Sequence, residues 1–355
     1  MKHPYQELPA TAYWKSAVAS HSPFDFFDLW QPKHSMAPEN RIVTFGSCFA
    51  QHLGRALSAN GFNWWNVEPG FKNASPELLA RYGYGVFSAR TGNIYTTKAL
   101  RQWTDWAFGN ADVPDEVWEA DGRYYDPFRP NVEPQGFESR KEVDEARKTT
   151  LACLRKAFSR TDVVVFTLGL TEAWEHASGY VYAGCPGVVA GEFSAETHKF
   201  RNYTHADVLE DLRYVIDAVK SVNPQVRFLL TVSPVPLTAT ASGQHVLVAN
   251  TYSKSLLRAV AGQAFVEDPA VDYFPSYEII TSHPFRGIFF DPNLRTVNAS
   301  GVAHVMKHFI GALTAAQPTP SRATSLTAPR PRSDADVQCD EEMLESFAGI
   351  GGASR

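Results

Sequence analysis

Unbroken apolar runs alternate with segments of helical periodicity along most of this chain. Ile42, Val43 and Thr44 begin a short β-branched run that passes through Gly46-Ser47-Cys48 into an amphipathic helix, residues 41–57 reading RIVTFGSCFAQHLGRAL. Leu151, Leu154 and Phe158 recur at helical spacing within 142–160, and DVVVFTLG (162–169) follows at once. The pair is repeated by HADVLEDLRYVIDAVKSVNP and QVRFLLTVSP (225–234), and again by a helix over 249–264 followed by FVEDPAVDYFPSYEII. Strands buried on both faces of a parallel sheet carry such non-alternating apolar runs. The alternation predicts an α/β fold, a three-layer parallel sheet flanked by helices, closed by a last helix over 300–313.

The pattern also divides the chain. Residues 1–39 are rich in Pro, His and aromatics (Tyr13, Trp14, Phe24, Phe26, Phe27, Trp30) and are expected to form an irregular arm packed on the body. A single domain is expected over 40–314, with large loop insertions between 61 and 160 that are full of Gly, Pro and aromatic residues. From 315 to 355 the composition shifts to Pro, Ser, Thr and Arg, which cannot bury enough surface to order itself. A short acidic amphipathic stretch there, with Met343, Leu344 and Phe347, is a candidate contact for a protein partner.

Composition narrows the function classes. With 44% hydrophobic residues the chain has ample material for a core, and a formal charge of −5 offers no global field for nucleic acid. Cys48, Cys153, Cys185 and Cys339 are scattered without C-x-x-C pairs or metal-ligand spacing. No metal or other cofactor is expected, and a reducing compartment is. No apolar run of transmembrane length and no signal-peptide pattern is visible, so the expectation is a soluble cytoplasmic protein. No Gly-rich phosphate-binding motif follows a strand, which weighs against a nucleotide ligand.

The chemistry concentrates at the strand ends, where open α/β sheets bind ligands. Ser47 or Cys48 at the start of the first helix would lie among unpaired N–H groups that favour developing negative charge, with Gly46 permitting the sharp turn. The alternative is that Ser47 simply caps the helix. Gly169-Leu170-Thr171-Glu172-Ala173-Trp174 and Ser233-Pro234-Val235-Pro236 form the other two ends. Arg90, Asn93, Glu172, Trp174, Ser253, Lys254, Arg286 and Arg295 are costly to bury. Gathered at the carboxyl edge they would make a pocket of cations, a carboxylate and aromatic walls, suited to a carbohydrate or an acylated anionic metabolite; otherwise they are internal ion pairs holding loops.

FGSCFAQHLGRAL, YGVFSARTGNIYT, FTLGLTEAW, TVSPVPLTAT, NTYSKSLLRA and YFPSYEI together resemble the GSCFA domain family, a bacterial group related to the SGNH/GDSL hydrolases, over about residues 40 to 312. The resemblance implies a flavodoxin-like SGNH-hydrolase fold. It puts Gly46-Ser47 at the nucleophile motif, without that motif's acidic residue, and Gly169-Leu170-Thr171-Glu172 at Gly-x-Asn-Asp, with Thr171 at the oxyanion asparagine. Where SGNH enzymes carry Asp-x-x-His before the last helix, this chain runs from Asp291 to Ser300, and Thr296 stands at the histidine. His283 is then the provisional base, oriented by Asp291 or Glu172, while His52 and His245 are further candidates. His304 and His308 are expected to be solvated on the last helix. Gly46, Cys48, Gly169, Thr171, Glu172, Arg90, Asn93, Arg286 and Arg295 are the expected oxyanion and substrate contacts, and Cys48 is the alternative nucleophile. The implied activity is a serine ester hydrolase or O-acyltransferase acting on an acylated carbohydrate or similar metabolite. The rival reading is an inactive glycan- or metabolite-binding protein, or a scaffold of envelope biogenesis.

Overall fold

The computed structural model describes residues 3–315. In chain order the body begins with β1 (Ile42–Gly46), α1 (Ala50–Ala59), α2 (Pro76–Arg81) and α3 (Thr97–Phe108). A small hairpin, β2 (Trp118–Ala120) and β3 (Arg123–Tyr125), precedes α4 (Arg140–Arg160) and β4 (Val163–Leu168). A second hairpin, β5 (Glu172–His176) and β6 (His198–Asn202), leads into α5 (His205–Val222) and β7 (Arg227–Val232). Then come α6 (Val246–Glu267), β8 (Val271–Tyr273), α7 (Ser276–Thr281) and α8 (Ala299–Ala315).

β1, β4, β7 and β8 make one wholly parallel sheet in the order β1-β4-β7-β8. Side chains alternate across it, as the pleat requires. Val43, Phe45, Val164, Phe166, Phe228 and Leu230 join the core beneath α3, α4, α5 and α6. Ile42, Val163, Val165 and Leu229 join the opposite core with α1, α7 and α8. Trp64 bridges Ile42 in parallel on the outer side of β1. The chain therefore goes first to one side of β1 and then to the other, so the crevice between the ends of β1 and β4 is the topological switch point of the sheet.

Three findings depart from the pattern read in the sequence. First, His304 is 7% exposed and lies among Phe24, Phe285 and Phe289, with His308 against it, so the expected solvated pair is mostly covered. One face of α8 is simply apolar enough to draw the imidazole in. Second, the arm is anchored unevenly. Trp30 is buried against Phe274 and Phe309, and Phe24 and Phe26 meet Phe289 and Phe285, yet Tyr5, Trp14 and Phe27 are 68%, 59% and 53% exposed. Third, a charged network is buried beneath the 61–160 insertion. Asp126 accepts from Arg129 Nε at 2.8 Å and from Arg147 at 3.0 Å, and Arg129 reaches the Arg90 carbonyl at 2.7 Å. Burial would raise the Asp126 carboxyl, but the two guanidiniums outweigh it and hold it below its ordinary range. Met343, Leu344, Phe347 and the rest of the expected tail beyond residue 315 lie outside the described residues.

Candidate functional site at the carboxyl ends of β1 and β4

Gly46 has a φ of +129°, and a Cβ there would lie 2.3 Å from the Thr167 carbonyl oxygen. Only glycine lets β1 end so close to β4. Ser47 follows, its N–H donating to that same carbonyl at 3.0 Å. Its hydroxyl is buried and has no hydrogen-bond partner among the described residues. Helix α1 is preceded by Phe49 and receives no side-chain cap, so the capping role considered for Ser47 is not the one it plays. An unpartnered buried hydroxyl costs stability, on the order of 1–3 kcal/mol, and is the kind of exception that asks for another explanation.

Across the crevice, Gly169 makes room for Ser47. A Cβ on Gly169 would stand 3.0 Å from Ser47 Cβ and 3.1 Å from the Tyr95 oxygen. The N–H groups of Gly169 and Leu170 both donate to that one carbonyl oxygen of Tyr95, at 3.0 and 2.9 Å. Ile94 N–H meanwhile donates to the Gly46 carbonyl at 2.8 Å. The main chain of Ile94–Tyr95 thus fills the switch point, and its carbonyl rests in a pair of converging donors beside a serine.

Around this junction the expected residues separate. Thr171 is fully buried, its hydroxyl donating to Asn202 at 2.8 Å and its N–H to Ser253 Oγ at 3.2 Å. Lys254, 1% exposed, donates from Nζ to the Gly169 carbonyl at 2.7 Å, which puts an amino group on the first residue of the donor pair. Cys48 packs into the apolar cluster of α1 and α8. His283 is exposed and stacked on Trp14, with ring centroids 5.3 Å apart. No hydrogen bond or ion pair joins it to Asp291 or Ser47 among the described residues. Thr296 Oγ1 accepts from Asn293 at 2.8 Å, within its own turn. His245 accepts from Leu247 N–H and caps α6, while His52 is buried against Phe49 on α1. Arg90 is a loop clamp, bound to the Tyr82 and Val132 carbonyls and to Glu133 at 2.6 Å. Arg286 is exposed, and Arg295 is buried in the turn before α8.

Beside the crevice lies a cavity of about 830 Å³, within the range of small-molecule sites. Tyr95 and Leu170 belong to its lining, so it abuts the Ser47 junction, over the carboxyl ends of β4 and β7. Of the polar residues expected to gather in a pocket, Asn93, Glu172 and Trp174 line it; Arg90, Ser253, Lys254, Arg286 and Arg295 do not. Glu172 takes hydrogen bonds from Thr240 Oγ1 at 2.7 Å and from the Ala241 backbone, yet burial still pushes its carboxyl up.

Aromatic walls and Trp174 were expected, but the Trp118–Tyr182 part of the wall went unread in the sequence. Glu116, between α3 and β2, accepts from Trp118 Nε1 at 2.9 Å, Tyr180 Oη at 2.6 Å and Tyr182 Oη at 3.1 Å. Gln102 on α3 exchanges hydrogen bonds with the Val181 backbone, at 2.9 and 2.7 Å. The only local signs are Trp118 in EVWEA and the alternating tyrosines of YVYAG.

Among the described residues, no helix is long and apolar enough to cross a membrane, and no cluster of three or more metal-ligating side chains is present. No curated protein and no solved structure matches the chain. Residues 41–309 match the GSCFA family, a span that runs from the first residue before β1 into the last helix and takes in the Ser47 junction and the aromatic cavity. The chain belongs to the GSCFA family.

Proposed function

We propose that this protein is an SGNH-like serine ester hydrolase or O-acyltransferase acting on an acylated carbohydrate or similar metabolite, with Ser47 as nucleophile. The observation that carries the reading is the convergence of Gly169 N–H and Leu170 N–H on one carbonyl oxygen beside Ser47. Two backbone donors aimed at one oxygen next to a buried hydroxyl are what an acyl-transfer site needs. In the structure Tyr95 supplies that oxygen; for catalysis the substrate carbonyl takes its place.

The chemistry then runs as an ordinary two-step acyl transfer. Ser47 Oγ attacks the ester carbonyl carbon as its proton passes to a base, and the oxyanion is held by the Gly169 and Leu170 N–H groups, with Cys48 N–H and Thr171 as further contacts. Collapse releases the alcohol, which takes the proton back. Water or a second alcohol then attacks the acyl-serine and restores Ser47. Two basic groups compete for the proton: His283 with Asp291 behind it, brought in by movement of the Trp14 stack, and Lys254, already against Gly169. Asn93, Glu172, Arg90, Arg286 and Arg295 act on the substrate or on the loops that hold it. The cavity holds the bulky part of the ester.

A binding role without turnover is favoured by one specific observation: Ile94–Tyr95 fills the crevice and Ser47 is 2% exposed. Labelling with a fluorophosphonate separates the two. Labelling of wild type that is lost in Ser47→Ala but kept in Cys48→Ala establishes the serine. Loss in His283→Ala or in Lys254→Met identifies the base. Folded wild type that takes no label places the protein with the binding reading.

A further inference from the structure

The cavity beside Ser47 has an unusual charge balance. Glu172 and Glu192 are its only charged lining residues among those described, and no Arg, Lys or His lines it. Its walls are aromatic, Trp103, Trp118, Trp174, Tyr182 and Phe193 among them. Four polar groups lining the cavity are used elsewhere. Trp118 Nε1 and Tyr182 Oη are bound to Glu116, which does not line the cavity. Gln102 is satisfied at both ends of its amide by the Val181 backbone. Thr96 Oγ1 accepts from Ala99 N–H at the start of α3. An anion in this cavity meets two carboxylates and no counter-charge among the lining residues.

Glu172 shows what is missing. Its carboxylate is half-buried and bonded only to neutral donors, Thr240 Oγ1 and the Ala241 backbone, with no ion pair among the described residues. Trp174 lies two residues further along β5, hence on the same face of the strand, and directly opposite Phe200 in the β5–β6 register. Its indole is held edge-on by Phe193 at 5.2 Å and Phe200 at 5.8 Å. A carboxylate lacking a counter-ion, beside fixed aromatic rings, is complementary to a positive charge on an apolar body.

We propose that this cavity binds an organic cation, a quaternary or protonated ammonium carrying an apolar chain or ring, with the positive centre at Glu172 and Trp174 and the apolar part along the Trp118–Tyr182 wall. The inference deepens the acyl-transfer reading, since it names the charge class of the group lodged beside Ser47, but it rests on the cavity and not on turnover.

The test is calorimetric titration of the full chain with a matched set: (4-phenylbutyl)trimethylammonium, the neutral isostere in which carbon replaces nitrogen, and 5-phenylpentanoate. The cation is expected to bind wild type about tenfold more tightly than the isostere, with the carboxylate weakest. Glu172→Gln is expected to erase most of that preference while leaving the isostere unchanged, and Trp174→Leu to weaken the cation more than the isostere. Equal binding of cation and isostere to wild type, or no binding of the cation, overturns the proposal without recourse to any variant. Unchanged cation affinity in folded Glu172→Gln overturns it as well. Because binding is read directly, failure of Ser47 to take a fluorophosphonate leaves this result standing, and the reverse also holds.

Discussion

Ser47 and Gly169 exclude one another's growth: a Cβ on Gly169 would stand 3.0 Å from the Cβ of Ser47. That closeness fixes the ends of β1 and β4 together and points both donor N–H groups at one oxygen. Gly169→Ala is therefore expected to lower stability by about 1–3 kcal/mol, the usual cost of overpacking, and to slow serine labelling. Urea denaturation reads the first effect. An unchanged midpoint would show that the Ile94–Tyr95 segment yields freely.

Ser47→Ala should behave in the opposite way. The hydroxyl it removes is buried and has no hydrogen-bond partner among the described residues, so the variant is expected to be as stable as wild type or more stable by up to about 1 kcal/mol. A clear loss of stability in thermal or urea unfolding would mean that the hydroxyl holds the crevice together, and would count against a nucleophile held ready at a stability cost.

Asp126 is the carboxylate shared by two buried guanidiniums. Asp126→Asn leaves Arg129 and Arg147 without their counter-charge and is expected to cost about 3–5 kcal/mol at neutral pH. The pH dependence has a definite sign. The folded carboxyl is held below its ordinary value, so its contribution is present above the unfolded pKa near 4 and is lost as pH falls through the lower folded value. Urea midpoints between pH 5 and pH 3 should fall more steeply in wild type than in the variant.

His304 works in the same direction at higher pH. Burial, then His308 and Lys307, lowers its pKa to about 4, and the remaining groups facing it are Phe24, Phe285 and Phe289. Between the ordinary value near 6.5 and about 4 the unfolded chain binds a proton that the folded chain refuses, so stability falls with pH across that window. In His304→Leu the slope should be shallower, with His308 supplying what remains. Identical slopes would show that the imidazole is protonated in place.

The sheet was legible because β4 and β7 are continuous apolar runs each preceded by a helix of clear period, and β1 is a short β-branched run followed by one. β8 spans only Val271–Tyr273 and carries a charge, so only its place after α6 announced it. The serine and its glycines were legible as a strand-end turn, and Glu172 and Trp174 as pocket residues, whereas the Trp118–Tyr182 wall was not. Glu116 meets Tyr180 at a separation of 64 positions in the chain, and no local pattern encodes such a meeting. β5, reading Glu-Ala-Trp-Glu-His, is half-buried throughout and lacks the apolar run that marks a core strand. Which of the two roles considered for the arginines holds was not legible, for a related reason. Arg90 looked like a ligand clamp in SARTGNIYT, but its partners, Val132 and Glu133, lie on a loop whose approach only the fold reveals.

The outer side of β8 is the exposed border of the sheet, and the arm seals it. Lys33 Nζ takes the Val271 carbonyl at 2.8 Å, Lys33 N–H binds the Asp272 carboxylate at 2.8 Å, and Asp272 also receives the Tyr273 N–H. These fastenings come from before residue 41, where the family match begins. A protein trimmed to the matched span would bare a strand able to pair with its own copies. Removal of the arm is therefore expected to be felt as self-association and insolubility before any change in chemistry.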